Sequence, residues 1–130
     1  QVFFNLAKNA AESITASGEV GEITLTTAFR PGVKLAVPGS NERVSLPFEV
    51  CIHDNGPGIS EDLRPHIFDA FVTTKPQGRG LGLALVAKIV RDHGGVVECI
   101  SRDHGTTFRV LLPMLRQQTD EKPESKGKIK

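Results

Sequence analysis

Tryptophan and tyrosine are absent from this sequence, and seven phenylalanines are its only aromatic residues. Platforms for sugars and single-stranded nucleic acid are built by stacking on such rings, so their scarcity argues against both. An excess of one charge is also missing: 16 Lys and Arg stand against 15 Asp and Glu, a net charge of +1. That balance gives no reason to expect a nucleic acid or an anionic membrane as partner. No apolar run nears the roughly 20 residues of a membrane-spanning helix, and no signal peptide is visible. The two cysteines, Cys51 and Cys99, sit among strand-like residues without CxxC or Cys/His spacing. They read as buried free thiols in a reducing cytoplasm rather than as a disulfide or a metal site.

What is present is ordinary globular material: 130 residues, 38% hydrophobic and 24% charged. One core burying roughly two-thirds of the unfolded surface is within reach of such a length. The sequence opens inside a helical pattern, "QVFFNLAKNAAESI", and so reads as a piece of something larger. Residues 1–16 place Phe3, Leu6, Ala10 and Ile14 at helical spacing. "GEITLTTAF" alternates as a strand, residues 30–45 are turn-rich, and residues 46–53 form a second strand. Ser60 is a plausible N-cap for a short helix, with Glu61 and Asp62 favouring its positive end. "LGLALVAKIVRDHGG" reads as an amphipathic helix closed by glycines, and the strands "VVECIS" and "TTFRVLLP" follow. Residues 116–130 are polar and expected to be a disordered tail behind a domain of residues 1–115. Without regular βαβ alternation, this order predicts an α+β sandwich, with helices on one face of a mostly antiparallel sheet.

Two short stretches carry chemistry. "DNGPGI", residues 54–59, ends the second strand with a carboxylate over a glycine turn. A plain hairpin uses the same residue types. "GRGLGLALV", residues 78–86, alternates Gly78, Gly80 and Gly82 before a helix, where close backbone approach and unpaired N–H groups suit a phosphate. Lys75 and Arg79 put two cations beside it. No Gly-Lys-Ser/Thr ends this loop and no strand precedes it, so it is neither a Walker A loop nor a dinucleotide fingerprint. On the first helix Asn5, Asn9 and Glu12 fall within about 60° of one another. They are either a solvated face or a source of neutral carbonyl oxygens suited to Mg²⁺.

Together these segments resemble the ATP-binding catalytic domain of bacterial sensor histidine kinases, whose nucleotide-binding (Bergerat) fold is shared with Hsp90, DNA gyrase B and MutL. "NLAKNAAE" is similar to its N box, "DNGPGI" to its G1 box, "IFDAFVTTK" to its F box and "GRGLGLAL" to its G2 box. "GTTFRVLLP" is similar to the closing strand pair, and all five occur in the family's order across residues 1–115. "IFDAFVTTKPQGRGLGLALVAKIVRDHGG" resembles the nitrogen-regulation, NtrB-type branch most.

The resemblance implies a mixed, mostly antiparallel sheet with helices on one face, and ATP and Mg²⁺ as cofactors. Asp54 would accept a hydrogen bond from the adenine amino group, Gly56 and Gly58 would let the backbone lie against the base, and Ile59 would line the pocket. Asn9 would be the Mg²⁺ ligand, with Asn5 its neighbour one turn earlier and Lys75 a further catalytic residue. Residues 60–80 would form a lid over the phosphates, anchored by Phe68 and Phe71. Thr74, Gly78, Arg79, Gly80, Leu81, Gly82 and Leu83 would bind the nucleotide from the lid and the G2 box, and Thr106 would hold adenine through water. Glu12 stands where many relatives carry a basic residue, Arg79 where Thr or Ser is common, and residues 30–45 match no motif.

Implied partners are a dimerisation domain carrying the phosphoacceptor histidine, a downstream response regulator and a PII-type regulator, all in the cytoplasm, with no nucleic acid and no membrane contact by this segment. None of His53, His66, His93 and His104 reads as the acceptor, because none has an acid placed beside it on a helix. Two other readings stand beside the kinase. A gyrase- or MutL-type clamp is expected to carry a catalytic glutamate where Asn5 stands. A non-catalytic nucleotide-sensing module would bind ATP without transfer.

Overall fold

Alternation along β4 (Phe48–Asp54) organises the domain, because it sends Ile52 and Asp54 to one side and His53 to the other. The computed structural model describes residues 1–18, 20–36, 41–70, 82–102 and 104–114. β4 pairs on one edge with β1 (Ile23–Phe29) and on the other with β6 (Gly105–Leu112), which pairs in turn with β5 (Val96–Arg102). The order β1-β4-β6-β5 is antiparallel throughout. Within the turn-rich stretch at residues 30–45, β2 (Lys34–Ala36) and β3 (Arg43–Ser45) form a small separate hairpin.

Helices α1 (Val2–Ser17) and α2 (Gly82–Asp92) cover one face. Their buried positions are four apart, Leu6 and Ala10 on α1 and Val86 and Val90 on α2, which keeps each pair on one side of its helix. These side chains close on Ile52, Phe108 and Val110 of the sheet to form the core, with Ile67 joining from the connection after β4. α1 stops at Gly18 and α2 just before Gly94, each in the left-handed conformation (φ 70° and 75°) of a glycine stop, which the sequence predicted for α2. The result is the two-layer α+β sandwich expected from the sequence.

The opposite face of the sheet has no helix upon it among the described residues and is polar. Glu49 is paired there with Arg30 Nε at 2.8 Å and Arg109 Nε at 3.4 Å, and Arg109 Nη1 lies 3.4 Å from Glu98. The Cys51 thiol donates to Glu49 Oε1 at 3.1 Å. That hydrogen bond, with help from the two arginines, holds the Glu49 carboxyl below its usual range despite partial burial. Its stabilising contribution is present above the ordinary glutamate value and is lost as pH falls through the lowered one.

Two expectations change in detail. The helix expected after Ser60 is a three-residue 3-10 turn, Arg64–His66, without a side-chain cap. Pro65 accounts for it, since proline has no N–H to extend an α-helical ladder and suits the first turn of a short one. Just beyond it the chain turns again, with the Asp69 N–H donating to the His66 carbonyl at 3.0 Å, and His66 Nδ1 meets Asp69 Oδ2 at 3.1 Å. An acid does stand beside this histidine, but the pair is exposed and Asp69 lies past the 3-10 turn rather than on a helix. The cysteines are free, as expected, but half-buried rather than buried.

Cys99 faces the core, and burial pushes its thiol up to about 11. At pH 8 such a thiol is ionised roughly a hundredfold less than an ordinary one. Alkylation of Cys99 by iodoacetamide should be slower by about that factor in the folded protein than in urea. Mass spectrometry of the labelled peptide reads this out, and equal rates would contradict the burial.

Candidate functional site

β4 ends on Asp54, whose register partners are Ile23 on β1 and Thr106 on β6. Thr106 is opposite Ser101 on β5, so one rung, Ile23, Asp54, Thr106 and Ser101, crosses the whole sheet. Asp54 is 2% exposed, Thr106 4% and Ser101 6%. Polar groups buried at that level are costly unless they have partners. Asp54 Oδ1 accepts the N–H of Gly56 at 3.0 Å. Burial nevertheless pushes its carboxyl above the usual aspartate value, with the Gly56 N–H and His53 pulling it partly back.

The turn after Asp54 is shaped by close approach. A methyl group at Gly56 would lie 2.7 Å from Ser13 Oγ and 2.9 Å from Asp54 Oδ1. Gly58 has φ +80°, and a side chain there would run into the Arg102 carbonyl oxygen. Two hydrogen bonds clip the turn to its neighbours. Asn55 Oδ1 accepts the Glu22 N–H at 2.7 Å, at the approach to β1, and the Ile59 N–H donates to Ser101 Oγ at 2.7 Å. A groove of about 390 Å³ runs along its flank, lined by Pro57, Ile59, Ser60, Glu61, Arg64 and Arg102.

The structure thus brings Asp54, Gly56, Gly58, Ile59 and Thr106 together at one end of the sheet, as the sequence reading grouped them. On α1, Asn5 and Asn9 are half-buried and share a face with Ser13, four residues further on, whose Oγ would meet a methyl group at Gly56. The asparagine face therefore leads to the turn. Glu12 instead lies 4.0 Å from Lys8. Gly82 begins α2 and is exposed, while Leu83 packs against the core. Phe68, named as a lid anchor, packs edge-on against Phe108 with ring centroids 6.2 Å apart. Phe71, Thr74, Lys75, Gly78, Arg79, Gly80 and Leu81 lie outside the described residues.

Three contributors were missed: Ser13, Asn55 and Ser101. Ser101 had a visible signal, because it occupies the inward phase of "VVECIS" after Val97 and Cys99, where a hydroxyl is out of place. Ser13 and Asn55 had none. His93, not read as an acceptor, bonds within its own helix end: its Nδ1 meets the Ile89 carbonyl at 2.7 Å.

Known proteins resemble this chain in sequence and in fold. The chain is 58% identical over 125 residues to the sensory histidine kinase/phosphatase NtrB of Rhizobium leguminosarum bv. phaseoli, covering 96% of this chain and 32% of that protein. Against NtrB of Azospirillum brasilense it is 57% identical over 114 residues, 88% of this chain and 28% of that one. The chain thus spans about a third of the length of the curated relatives it matches. Among solved structures, the nucleotide-free catalytic domain of histidine kinase ThkA superposes with a TM-score of 0.62 at 37% identity, over 87% of this chain and 64% of that one. Full-length ShkA in complex with AMPPNP gives 0.63 at 31% identity, over 86% and 20%. With residues 1–116 matching the family as well, the chain belongs to the histidine kinase-, DNA gyrase B-, and HSP90-like ATPases.

Proposed function

We propose that this chain is the ATP-binding catalytic domain of an NtrB-type sensor histidine kinase, occupying residues 1–115 with residues 116–130 as a polar tail. The observation that carries it is Asp54: a carboxylate 2% exposed, with Gly56 N–H donating to it, above a turn too tight for side chains at two positions. A turn built only to reverse the chain has no use for a buried charge. An adenine base does. An ionised carboxylate only accepts hydrogen bonds, so it matches the exocyclic amine of adenine and repels the carbonyl of guanine.

The donor set on α1 suits Mg²⁺. Asn5 and Asn9 offer neutral amide oxygens, and among the described residues no group of three His, Cys, Asp or Glu forms a cage. A hard, strongly hydrated cation held by one or two protein oxygens plus phosphates and water needs no more. Asn9 would hold it, and when bound it supplies charge neutralisation at the phosphates. Lys75, Arg79 and the G2 glycines would hold the phosphate chain, with Gly82 at the start of α2. Phosphoryl transfer needs little else from the protein than positioning and charge neutralisation. A histidine nitrogen of a separate dimerisation domain would form the new bond to the γ-phosphorus as the bridge to ADP breaks. A response regulator and a PII-type regulator would act on the complete cytoplasmic protein. With Asn5 where a clamp-type ATPase would need its glutamate, hydrolysis-driven assembly is the weaker reading.

Calorimetry with ATP, with and without a chelator, tests the core of this. Binding should be clearly tighter with Mg²⁺, and equal affinity in both conditions would remove Asn9 from the metal role.

A further inference from the structure

We propose that Ser101 is a positioning residue for the adenine end of the site, the hydroxyl against which the turn from Asp54 to Ile59 is set. This rests on the reading of Asp54 as the acceptor for the base. β5 directs Val97 and Cys99 into the core, and Ser101 follows on the same face with 6% exposure. Its Oγ accepts the Ile59 N–H at 2.7 Å, from 42 residues away in sequence. The Gly105 carbonyl at 3.5 Å and the Thr106 hydroxyl at 3.4 Å are within reach of its own proton. One hydroxyl thereby joins the far end of the turn to the β5–β6 hairpin.

The surrounding contacts show that this join sets geometry. Gly58 lies flush on the Arg102 carbonyl, and the position of a methyl there is 3.1 Å from Ser101 Oγ. Across the rung, a methyl on Gly105 would lie 2.7 Å from the Asp54 carbonyl oxygen and 3.0 Å from the His53 ring. The hairpin end and the turn therefore meet without spare volume on both sides of Asp54. Asn55 ties the near end of the turn to the approach to β1, while Ser101 ties Ile59 to β5. Without the hydroxyl, Ile59 loses its anchor and the left-handed Gly58 is free to relax. Asp54 and Ile59 would then no longer present one fixed edge and wall to a base, and small displacements at such a site are expensive in binding and rate.

The test uses variants of the complete protein, with ATP affinity measured well below the melting temperature. Ser101→Ala should weaken ATP about tenfold, the equivalent of one lost hydrogen bond. Ser101→Thr, which keeps the oxygen, should restore affinity, whereas the equally shaped Ser101→Val should not. The loss should shrink when Ser101→Ala is combined with Asp54→Asn, because both act on one contact with the base. The Ile59 amide should lose its hydrogen-exchange protection in Ser101→Ala, a readout that stands even if the bulkier variants fold poorly. A purely structural serine would lower the melting temperature and leave the affinity of the folded protein unchanged. That result, with Asp54→Asn still impaired, overturns the positioning role and leaves the base site standing. Restoration by valine as well as threonine also overturns it, since volume would then suffice. If Asp54→Asn itself binds ATP normally, the site reading falls and this inference falls with it.

Discussion

Replacing Asp54 with asparagine should weaken ATP ten- to a hundredfold while leaving the domain folded, and at neutral pH no less stable than before. The affinity loss follows from removing a charged acceptor in an enclosed position, about 1.5–3 kcal/mol. The amide keeps an oxygen for the Gly56 N–H but turns its own NH₂ toward the base, where a second donor has nothing to accept it. The stability expectation comes from linkage. Burial raises the folded-state pKa of Asp54 above the ordinary aspartate value. Between those two values the folded chain holds a proton that the unfolded chain has released, so stability falls as pH rises through that window. Above it the ionised carboxylate is a standing cost, which asparagine lacks. Melting curves at several pH values should therefore show the variant's advantage at neutral pH narrowing as pH falls through that window and gone below it. A variant that unfolds while its remaining folded fraction binds ATP normally would reduce Asp54 to a turn residue.

Asn9→Ala should remove phosphoryl transfer to a supplied dimerisation domain, with a rate loss on the order of 10²–10³, the range for deleting one preorganised group at developing charge. Asn9 is half-buried on the α1 face that reaches Gly56 through Ser13, so it belongs to the side of the helix adjoining the turn. The assay mixes the chain with labelled ATP, alone and with its acceptor domain, and scores acid-labile phosphate. Without a covalent tether the encounter is bimolecular, so transfer should be slow and rise with acceptor concentration. The chain alone should stay unlabelled. His66, with Asp69 Oδ2 at 3.1 Å, is the histidine to inspect if it does not. Label there would overturn the assignment of the acceptor to another domain. Transfer by Asn9→Ala at the parent rate would remove the asparagine from the mechanism, and no transfer by the parent at saturating acceptor would favour a nucleotide-sensing module.

Much of this site was legible before any coordinates, because its signals are local. "DNGPGI" declares a turn and a carboxylate in six consecutive residues, and "LGLALVAKIVRDHGG" declares the helix that opens at Gly82. The periods of α1, α2 and β4 follow from apolar spacing over a few residues, and the glycines at 18 and 94 mark helix ends by backbone preference alone. Where the signal was short or its partner distant, the sequence was silent or misleading. Strands of three residues, such as β2 and β3, are too brief to show a period. Pro65 shortened an expected helix to a 3-10 turn.

By itself, then, the sequence determined the two long helices, the four longer strands, the glycine turns, and which residue types are offered to a nucleotide, since each depends on neighbours a few positions away. Only the tertiary structure decided that Asp54 is buried, that Thr106 and Ser101 share its rung, and that Ser13 and Asn55 brace its turn. Those facts depend on strand order and register between distant stretches of chain. In a sheet of order β1-β4-β6-β5, slipping one strand by a single residue would turn Asp54 to the opposite face, and no local pattern encodes which distant residue stands opposite it.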